Sequence, residues 1–295
     1  MRIAVTGRDG QVATSLRLAA RGGPAEIVCL ARPGFDLERP DTIAPALAAA
    51  KADLVVSAAA WTAVDAAEDA PERARAVNAD GAGALAAAAA GLGIPIVHLS
   101  TDYVFDGTLG RPYREDDAPS PATVYGATKL AGEKAVAAAN PNHLILRTAW
   151  IYGAHGRNFV RTMVEMALTR PEIAVVADQR GSPTSAADIA RAVLALAPRI
   201  DGATLPWGLY HLAGSGEASW AELAEEVMAE LAAAGMPSAS IRRIATSGYP
   251  TRAPRPADSR LDCSRAAREL GLVLPDWRSS CRAAVAAIRA ESAAP

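Results

Sequence analysis

Tyr125 and Lys129 stand four residues apart in the run Tyr125-Gly126-Ala127-Thr128-Lys129, and on a helix that spacing puts a phenol and an ammonium on one face. The chain has six tyrosines and only three lysines, Lys51, Lys129 and Lys134, and no second pair repeats the spacing. Chance is a poor explanation. A phenol can hand its proton to a carbonyl oxygen as the carbon beside it is reduced. Its ordinary pKa near ~10 makes proton exchange slow at neutral pH, and the sequence assigns Lys129 as the cation that lowers it. The bland alternative is a surface tyrosine beside a lysine. Upstream, Val97-His98-Leu99-Ser100-Thr101-Asp102-Tyr103-Val104-Phe105 runs from the carboxyl end of a strand into a loop, where sites of α/β proteins sit. The Thr101 hydroxyl can donate to the same carbonyl and complete a Thr101/Tyr125/Lys129 trio.

A hydride donor needs a second feature, and Val5-Thr6-Gly7-Arg8-Asp9-Gly10-Gln11-Val12-Ala13 has its form. Gly7 permits a tight turn after the first strand, Gly10 lets backbone approach a pyrophosphate, and the helix opened by Gln11 and Val12 points free N–H groups at the anion. Ala13 fills the third small position. The second strand ends Leu30-Ala31-Arg32 where an acid selective for NAD usually stands, so Arg32 reads as a 2′-phosphate ligand and NADPH as the carrier, with NADH as the alternative. A solvated Arg32 is the competing reading.

The elements that must hold these residues follow from hydrophobic periodicity. Strands are expected at Arg2–Thr6, Glu26–Leu30, Asp53–Ser57, Ile94–Leu99 and His143–Thr148, with helices near Gln11–Arg21, Asp41–Lys51, Pro71–Gly91 and Ala122–Asn140. That alternation predicts an α/β fold with a Rossmann-type doubly wound parallel sheet. After about Ile151 the regularity loosens, with short strands at Ile173–Val176 and Leu209–Leu212. Residues 1–150 therefore read as the dinucleotide-binding domain and 151–295 as mostly a smaller C-terminal α/β substrate lobe, with some segments free to return to the first domain.

Composition excludes several classes. Thirty basic and 32 acidic residues give a net charge of −2 without the basic stripe of a nucleic-acid binder. The longest apolar run, Ala84–Ala90, is far short of the roughly 20 residues of a membrane span. The first strand starts at the N-terminus without a cationic, apolar leader, so a cytoplasmic protein is expected. Cys29, Cys263 and Cys281 are scattered, and no cysteine or histidine pair has metal-ligand spacing, so no metal site is expected. His98 reads as a core or supporting residue.

Taken together, these motifs resemble the extended short-chain dehydrogenase/reductase superfamily and, within it, the dTDP-4-dehydrorhamnose reductase family. The similarity spans nearly the whole chain. Beyond the glycine turn and the Tyr/Lys pair it rests on Ser57-Ala58-Ala59-Ala60-Trp61-Thr62-Ala63-Val64-Asp65, Val77-Asn78-Ala79, Ser100-Thr101-Asp102-Tyr103-Val104-Phe105, Arg147-Thr148-Ala149-Trp150, Asp178-Gln179-Arg180-Gly181-Ser182-Pro183-Thr184 and Arg255-Pro256-Ala257-Asp258-Ser259-Arg260-Leu261. The resemblance implies hydride transfer from a nicotinamide to C4 of dTDP-4-dehydro-6-deoxy-L-mannose. It further implies that Asp36, Leu37, Ala58, Ala59 and Ala60 line the adenosine side of the cofactor, and that Thr101, Asp102, Tyr103 and Trp150 face the sugar. Trp150 is either a platform for the apolar face of the deoxyhexose or a core aromatic. Arg255, held between Pro254 and Pro256, is either a pre-organised fork for the substrate diphosphate or a partner of an acid such as Asp258.

Two departures from the family pattern stand out. Ser57 replaces a common Asn, which leaves the cofactor pocket workable. Ala13-Thr14-Ser15-Leu16-Arg17 lacks the carboxylate that metal-bridged dimers of some members use, which argues against such a homodimer. The alternatives are a 4-ketoreductase for another nucleotide deoxysugar and a non-catalytic NADP-binding subunit, similar to the regulatory subunit of methionine adenosyltransferase. The intact trio argues against the second.

Overall fold

The computed structural model describes residues 1–201 and 205–292. In chain order the first half contributes β1 (Arg2–Thr6), α1 (Gln11–Ala19), β2 (Glu26–Leu30), α2 (Ile43–Ala50), β3 (Leu54–Ser57), α3 (Val64–Asp69), α4 (Pro71–Arg75), α5 (Ala82–Gly91), β4 (Ile96–Thr101), α6 (Val124–Ala139) and β5 (His143–Thr148). The second contributes β6 (Ile151–Tyr152), α7 (Phe159–Ala167), β7 (Glu172–Val176), β8 (Arg180–Gly181), β9 (Thr184–Ser185), α8 (Ala186–Asp201), β10 (Gly208–His211), β11 (Ala218–Ser219), α9 (Trp220–Ala233), β12 (Ser240–Ile244) and α10 (Trp277–Ser292).

Strand residues alternate between two cores. Ile3, Val5, Leu54, Val56, Val97, Leu99, Leu144 and Leu146 pack on one face with Val12 and Leu16 of α1 and Ile189, Val193 and Leu196 of α8. Ala4, Val55, Ile96 and Ile145 pack on the other with Leu47 of α2, Leu85 and Ala89 of α5 and Val136 of α6. A period of two with both faces apolar is what a parallel sheet buried between helix layers requires. The sheet order is β2-β1-β3-β4-β5-β10, every pairing parallel. Its direction reverses between β1 and β3, and a switch point of this kind opens a crevice at the carboxyl ends of those strands.

Three sequence expectations shift. The stretch assigned to a second-lobe strand at Leu209–Leu212 forms β10, which pairs with β5 in the main sheet, Leu209 opposite Ile145. Tyr210 and Leu212 are drawn into the core between sheet and α8. The strand expected at Ile94–Leu99 begins at Ile96 and continues to Thr101, so Thr101 is a strand end, not a loop residue. The single helix expected over Pro71–Gly91 is widened by a π-type turn at Ala76–Gly81. Such turns recur at functional sites. Here the turn carries Asn78, whose amide donates to Trp61 O at 3.1 Å and Thr128 Oγ1 at 3.1 Å.

The remaining second-half elements make their own core. β7 and β12 pair in parallel, and Val164, Ile173, Leu223, Val227, Trp277 and Val285 join α7, α9 and α10 beneath them. Ser219 and Glu222 form a capping box that starts α9, satisfying backbone donors at both positions. No helix among the described residues is long and apolar enough to cross a membrane.

Candidate active site

The crevice at the switch point is built by the turn after β1. Gly7 has φ +90°, a conformation that glycine adopts without strain, and its N–H donates to Leu30 O at 2.8 Å. Thr6 Oγ1 accepts from the N–H groups of Ala58 and Ala59 at 2.9 and 2.8 Å, which ties the loop after β3 to the end of β1. Between them lies a cleft of about 350 Å³ whose lining includes Gly7, Arg32, Asp36, Leu37, Ala59 and Ala60. Ala58 sits beside it. Gly10 precedes the first turn of α1. Gln11 Nε2 donates to Ile151 O at 3.4 Å while its Oε1 has no protein partner. The Val12 side chain is buried in the sheet core, so only its backbone is available to an anion. Arg8, Asp9, Leu30, Ala31, Phe35 and Val77 also line the cleft. They were missed because ordinary residues of turns, strand ends and helices carry no signature of their own.

Arg32 differs from its sequence reading. Its guanidinium pairs with Asp36 Oδ2 at 2.8 Å and Glu38 Oε2 at 3.0 Å, and Glu38 is also held by Arg73 at 2.9 Å. The hydrogen bond from Arg73 pulls the Glu38 carboxyl below its usual range. A 2′-phosphate would have to displace these carboxylates to reach Arg32, so the cation lining this cleft is already neutralised.

Thr101 and Tyr125 lie together at the ends of β4 and α6, while the ammonium of Lys129 is engaged elsewhere. Thr123 caps α6 by accepting from Gly126 N–H at 3.0 Å, which sets the turn carrying Tyr125. Bare backbone at two glycines lets α6 sit close: a Cβ at Gly126 would fall 2.1 Å from Tyr103 O, and one at Gly132 2.0 Å from Asn78 O. Tyr125 packs edge-on to Tyr103, ring centroids 5.5 Å apart. Burial pushes the Tyr125 phenol well above its ordinary pKa, and its hydrogen bond to the Thr101 hydroxyl pulls the other way. Lys129 does not contribute, contrary to the sequence expectation. Its Nζ is turned away, donating to Leu99 O at 2.6 Å and facing His98 Nε2 at 3.4 Å. Burial pushes the lysine down to about 8, with Glu133 one turn on acting in the opposite sense. Glu133 in turn forms a buried pair with Arg147 at 2.7 Å and accepts from Ser100 Oγ at 2.5 Å.

Around the trio lie buried polar atoms without protein partners, and in a folded protein such atoms call for an explanation. Thr101 donates to Asp102 Oδ1 at 3.0 Å, while Asp102 Oδ2 has no partner. Burial raises the Asp102 carboxyl to about 6 despite hydrogen bonds from Ser259 and Thr101. Thr148, opposite Thr101 in the β4/β5 register, also has an unpartnered buried hydroxyl. Its place at the end of a strand was the available signal.

Arg255 pairs with Asp65 of α3, not with Asp258, and Asp65 also accepts from Ala253 N–H at 3.0 Å. Asp258 is taken by Arg260. Arg255 Nη1 remains buried and unpartnered. Burial pushes the Tyr103 phenol up, and the guanidinium charge pulls it down by less. Trp150 is not an open sugar platform. It stacks on Trp220 with centroids 3.6 Å apart and planes 5° from parallel, and its indole presses on Gly181, where a Cβ would lie 2.2 Å from Cε2. Trp150 adopts φ +47°, a left-handed geometry uncommon for a bulky residue that the stack holds in place.

A parallel sheet with a glycine-turn cleft at its switch point and a Thr/Tyr/Lys cluster one strand away defines a dinucleotide-dependent oxidoreductase of the short-chain type. The family model described as the RmlD substrate binding domain matches residues 1–290. A dTDP-4-dehydrorhamnose reductase of Sinorhizobium fredii is 50% identical over 294 residues, covering 99% of both chains. The chain belongs to the dTDP-4-dehydrorhamnose reductase family. Among solved structures, the Clostridium acetobutylicum dTDP-4-dehydrorhamnose reductase superposes with a TM-score of 0.91 at 34% identity, covering 98% of this chain and 100% of that one. The Bacillus anthracis dTDP-4-dehydrorhamnose reductase in complex with NADP gives 0.87 at 32% identity, covering 96% and 98%.

Proposed function

We propose that this chain reduces the C4 keto group of dTDP-4-dehydro-6-deoxy-L-mannose with NADPH, NADH being the alternative carrier, to give dTDP-L-rhamnose. The observation that carries the reading is the meeting of the Thr101 and Tyr125 hydroxyls beside a cleft suited to a dinucleotide. The NADP bound to the Bacillus anthracis relative supports the choice of carrier. When bound, NADPH supplies the hydride and leaves as NADP⁺.

The chain's own residues do the rest. As C4 accepts the electron pair, the carbonyl π pair moves to oxygen and Tyr125 gives that oxygen its proton. A phenol raised by burial stays protonated through neutral pH, the state that an acid for reduction needs. Thr101 orients the same oxygen, and Lys129 holds the nicotinamide ribose. Arg255 offers Nη1 to a diphosphate oxygen, and Asp102 and Tyr103 face the sugar. Trp150 shapes the pocket wall through its stack on Trp220. The reading includes a cytoplasmic location, since its partners are a soluble nucleotide sugar and NADPH. The test is to incubate purified protein with NADPH and enzymatically made dTDP-4-dehydro-6-deoxy-L-mannose and follow nicotinamide absorbance. Loss of absorbance only when both are present supports the reading. Turnover confined to a different 4-keto sugar nucleotide, or none at all, overturns it.

A further inference from the structure

Against Lys129 lies a buried imidazole to which the reaction above assigns no task. His98, in the middle of β4, is 1% exposed. Its Nε2 faces Lys129 Nζ at 3.4 Å and its Nδ1 faces Ser57 Oγ, at the end of β3, at 3.0 Å. Lys129 is itself 3% exposed and gives one N–H to Leu99 O at 2.6 Å.

We propose that His98 is a positioning residue for Lys129: held as the neutral Nδ1–H tautomer between the ammonium and Ser57 Oγ, it presents Nε2 as an acceptor that fixes the rotation of the ammonium and so aims the remaining N–H at the cofactor ribose. The proposal rests on the reading of Lys129 given above. The argument is one of donors and acceptors. An ammonium has three donors and no acceptor, so a ring nitrogen facing it must be the bare one. Bare Nε2 requires the proton on Nδ1, and Ser57 Oγ is placed to accept it. The alternative tautomer would set an N–H against an N–H between two buried side chains. An imidazolium there would put two cations 3.4 Å apart, and burial together with the Lys129 charge holds His98 well below its ordinary pKa. Leu99 O alone leaves the ammonium free to spin about its Cε–Nζ bond. A second acceptor on a different strand residue removes that freedom, and positional freedom at a reacting group is costly, a misplacement of about 1 Å being worth ~10²-fold.

The charged groups that act on this lysine are Glu133, one turn on in α6 and compensated by Arg147. Among the described residues, His98 is the side chain whose ring nitrogen faces the ammonium directly. Two measurements on the full chain test the proposal. The first needs no substrate: ¹⁵N spectra of histidine-labelled protein, with the His98 signals assigned by a His98→Gln variant, report which ring nitrogen is bare. The expected pattern is a neutral ring with protonated Nδ1 and bare Nε2 across the neutral range, in the free protein and with NADP⁺ bound, and mixed tautomers in Lys129→Met. A protonated Nε2 would overturn the proposal whatever the activity.

The second measurement is kinetic. His98→Leu should lower kcat about tenfold to a hundredfold, and His98→Gln, which returns an acceptor oxygen near the Nε2 position, should recover most of it. The alkaline limb of kcat/KM should move to lower pH in His98→Leu, because loss of the acceptor destabilises the ammonium relative to the amine. If His98→Leu does not fold, Ser57→Ala, which frees the Nδ1 side of the ring without removing it, should leave Nε2 bare against the ammonium but loosen the ring and lower kcat several-fold. Unchanged kcat and an unmoved alkaline limb in soluble His98→Leu or Ser57→Ala would overturn the proposal. Absence of turnover in the unaltered protein would instead overturn the reading of the reaction, and the ¹⁵N pattern would still decide the role of His98 against Lys129.

Discussion

Tyr125 carries its proton through neutral pH because burial withholds solvation from the phenolate, and the Thr101 hydroxyl offsets only part of that. Lys129, one turn along α6, spends a donor on Leu99 O. Replacing Tyr125 by Phe removes the acid while keeping the ring that packs on Tyr103. The expected result is a fall in kcat of at least ~10²-fold with NADPH affinity, followed by fluorescence titration, within a factor of about two of the unaltered protein. Arg32 is paired with Asp36 and Glu38, so on the proposed reading a 2′-phosphate must compete with both carboxylates. Asp36→Asn keeps an oxygen that can accept the Glu38 N–H, now made to Oδ1 at 3.0 Å, but removes a charge from Arg32. Its KM for NADPH should fall several-fold while that for NADH changes little. Equal changes for both carriers would mean that Arg32 does not reach the phosphate.

The trio's geometry depends on how closely α6 approaches β4 and the π-type turn. A methyl at Gly132 would lie 2.0 Å from Asn78 O, and backbone carbonyls do not yield as side chains do. Gly132→Ala should cost about 1–3 kcal/mol of stability by overpacking, read from the denaturant midpoint. It should also lower kcat, because the helix that shifts carries Tyr125 and Lys129. Wild-type values in both would mean that the turn moves instead. Much at this scale was legible from sequence. β1, β2 and β5 fall on the expected residues because short β-branched runs between helices leave few other choices. Tyr125 and Lys129 were legible because helical spacing is local. The widened turn at Ala76–Gly81 was not: it follows from Asn78 bonding to Trp61 and Thr128, partners that only the folded chain brings near. β10 was expected as a strand, but its pairing with β5 was not, since four residues do not announce which strand they will pair with.

Across the whole molecule, the least legible contacts are the ones that join distant segments. Arg255 and Asp65 are 190 positions apart, and Arg252 pairs with Asp69 along the same helix. These ion pairs tie the Pro-flanked loop to α3, next to Tyr103. Trp150 was ambiguous between sugar platform and core aromatic until Trp220 was seen stacked on it. Arg255→Ala should raise the KM for the sugar nucleotide about tenfold or more, the scale of one lost charge-assisted hydrogen bond, and leave NADPH affinity nearly unchanged. A collapse of thermal stability with equal loss of both affinities would make the loop purely structural. The account as a whole turns on where the hydride lands. Turnover with NADPH carrying deuterium at the transferable C4 position, followed by NMR of the product, tests this directly. The account predicts one deuterium at C4 of the sugar and a product with the configuration of dTDP-L-rhamnose, formed at least ~10²-fold more slowly by Tyr125→Phe. Deuterium at another carbon, a C4 epimer, or the same rate without the phenol would contradict it.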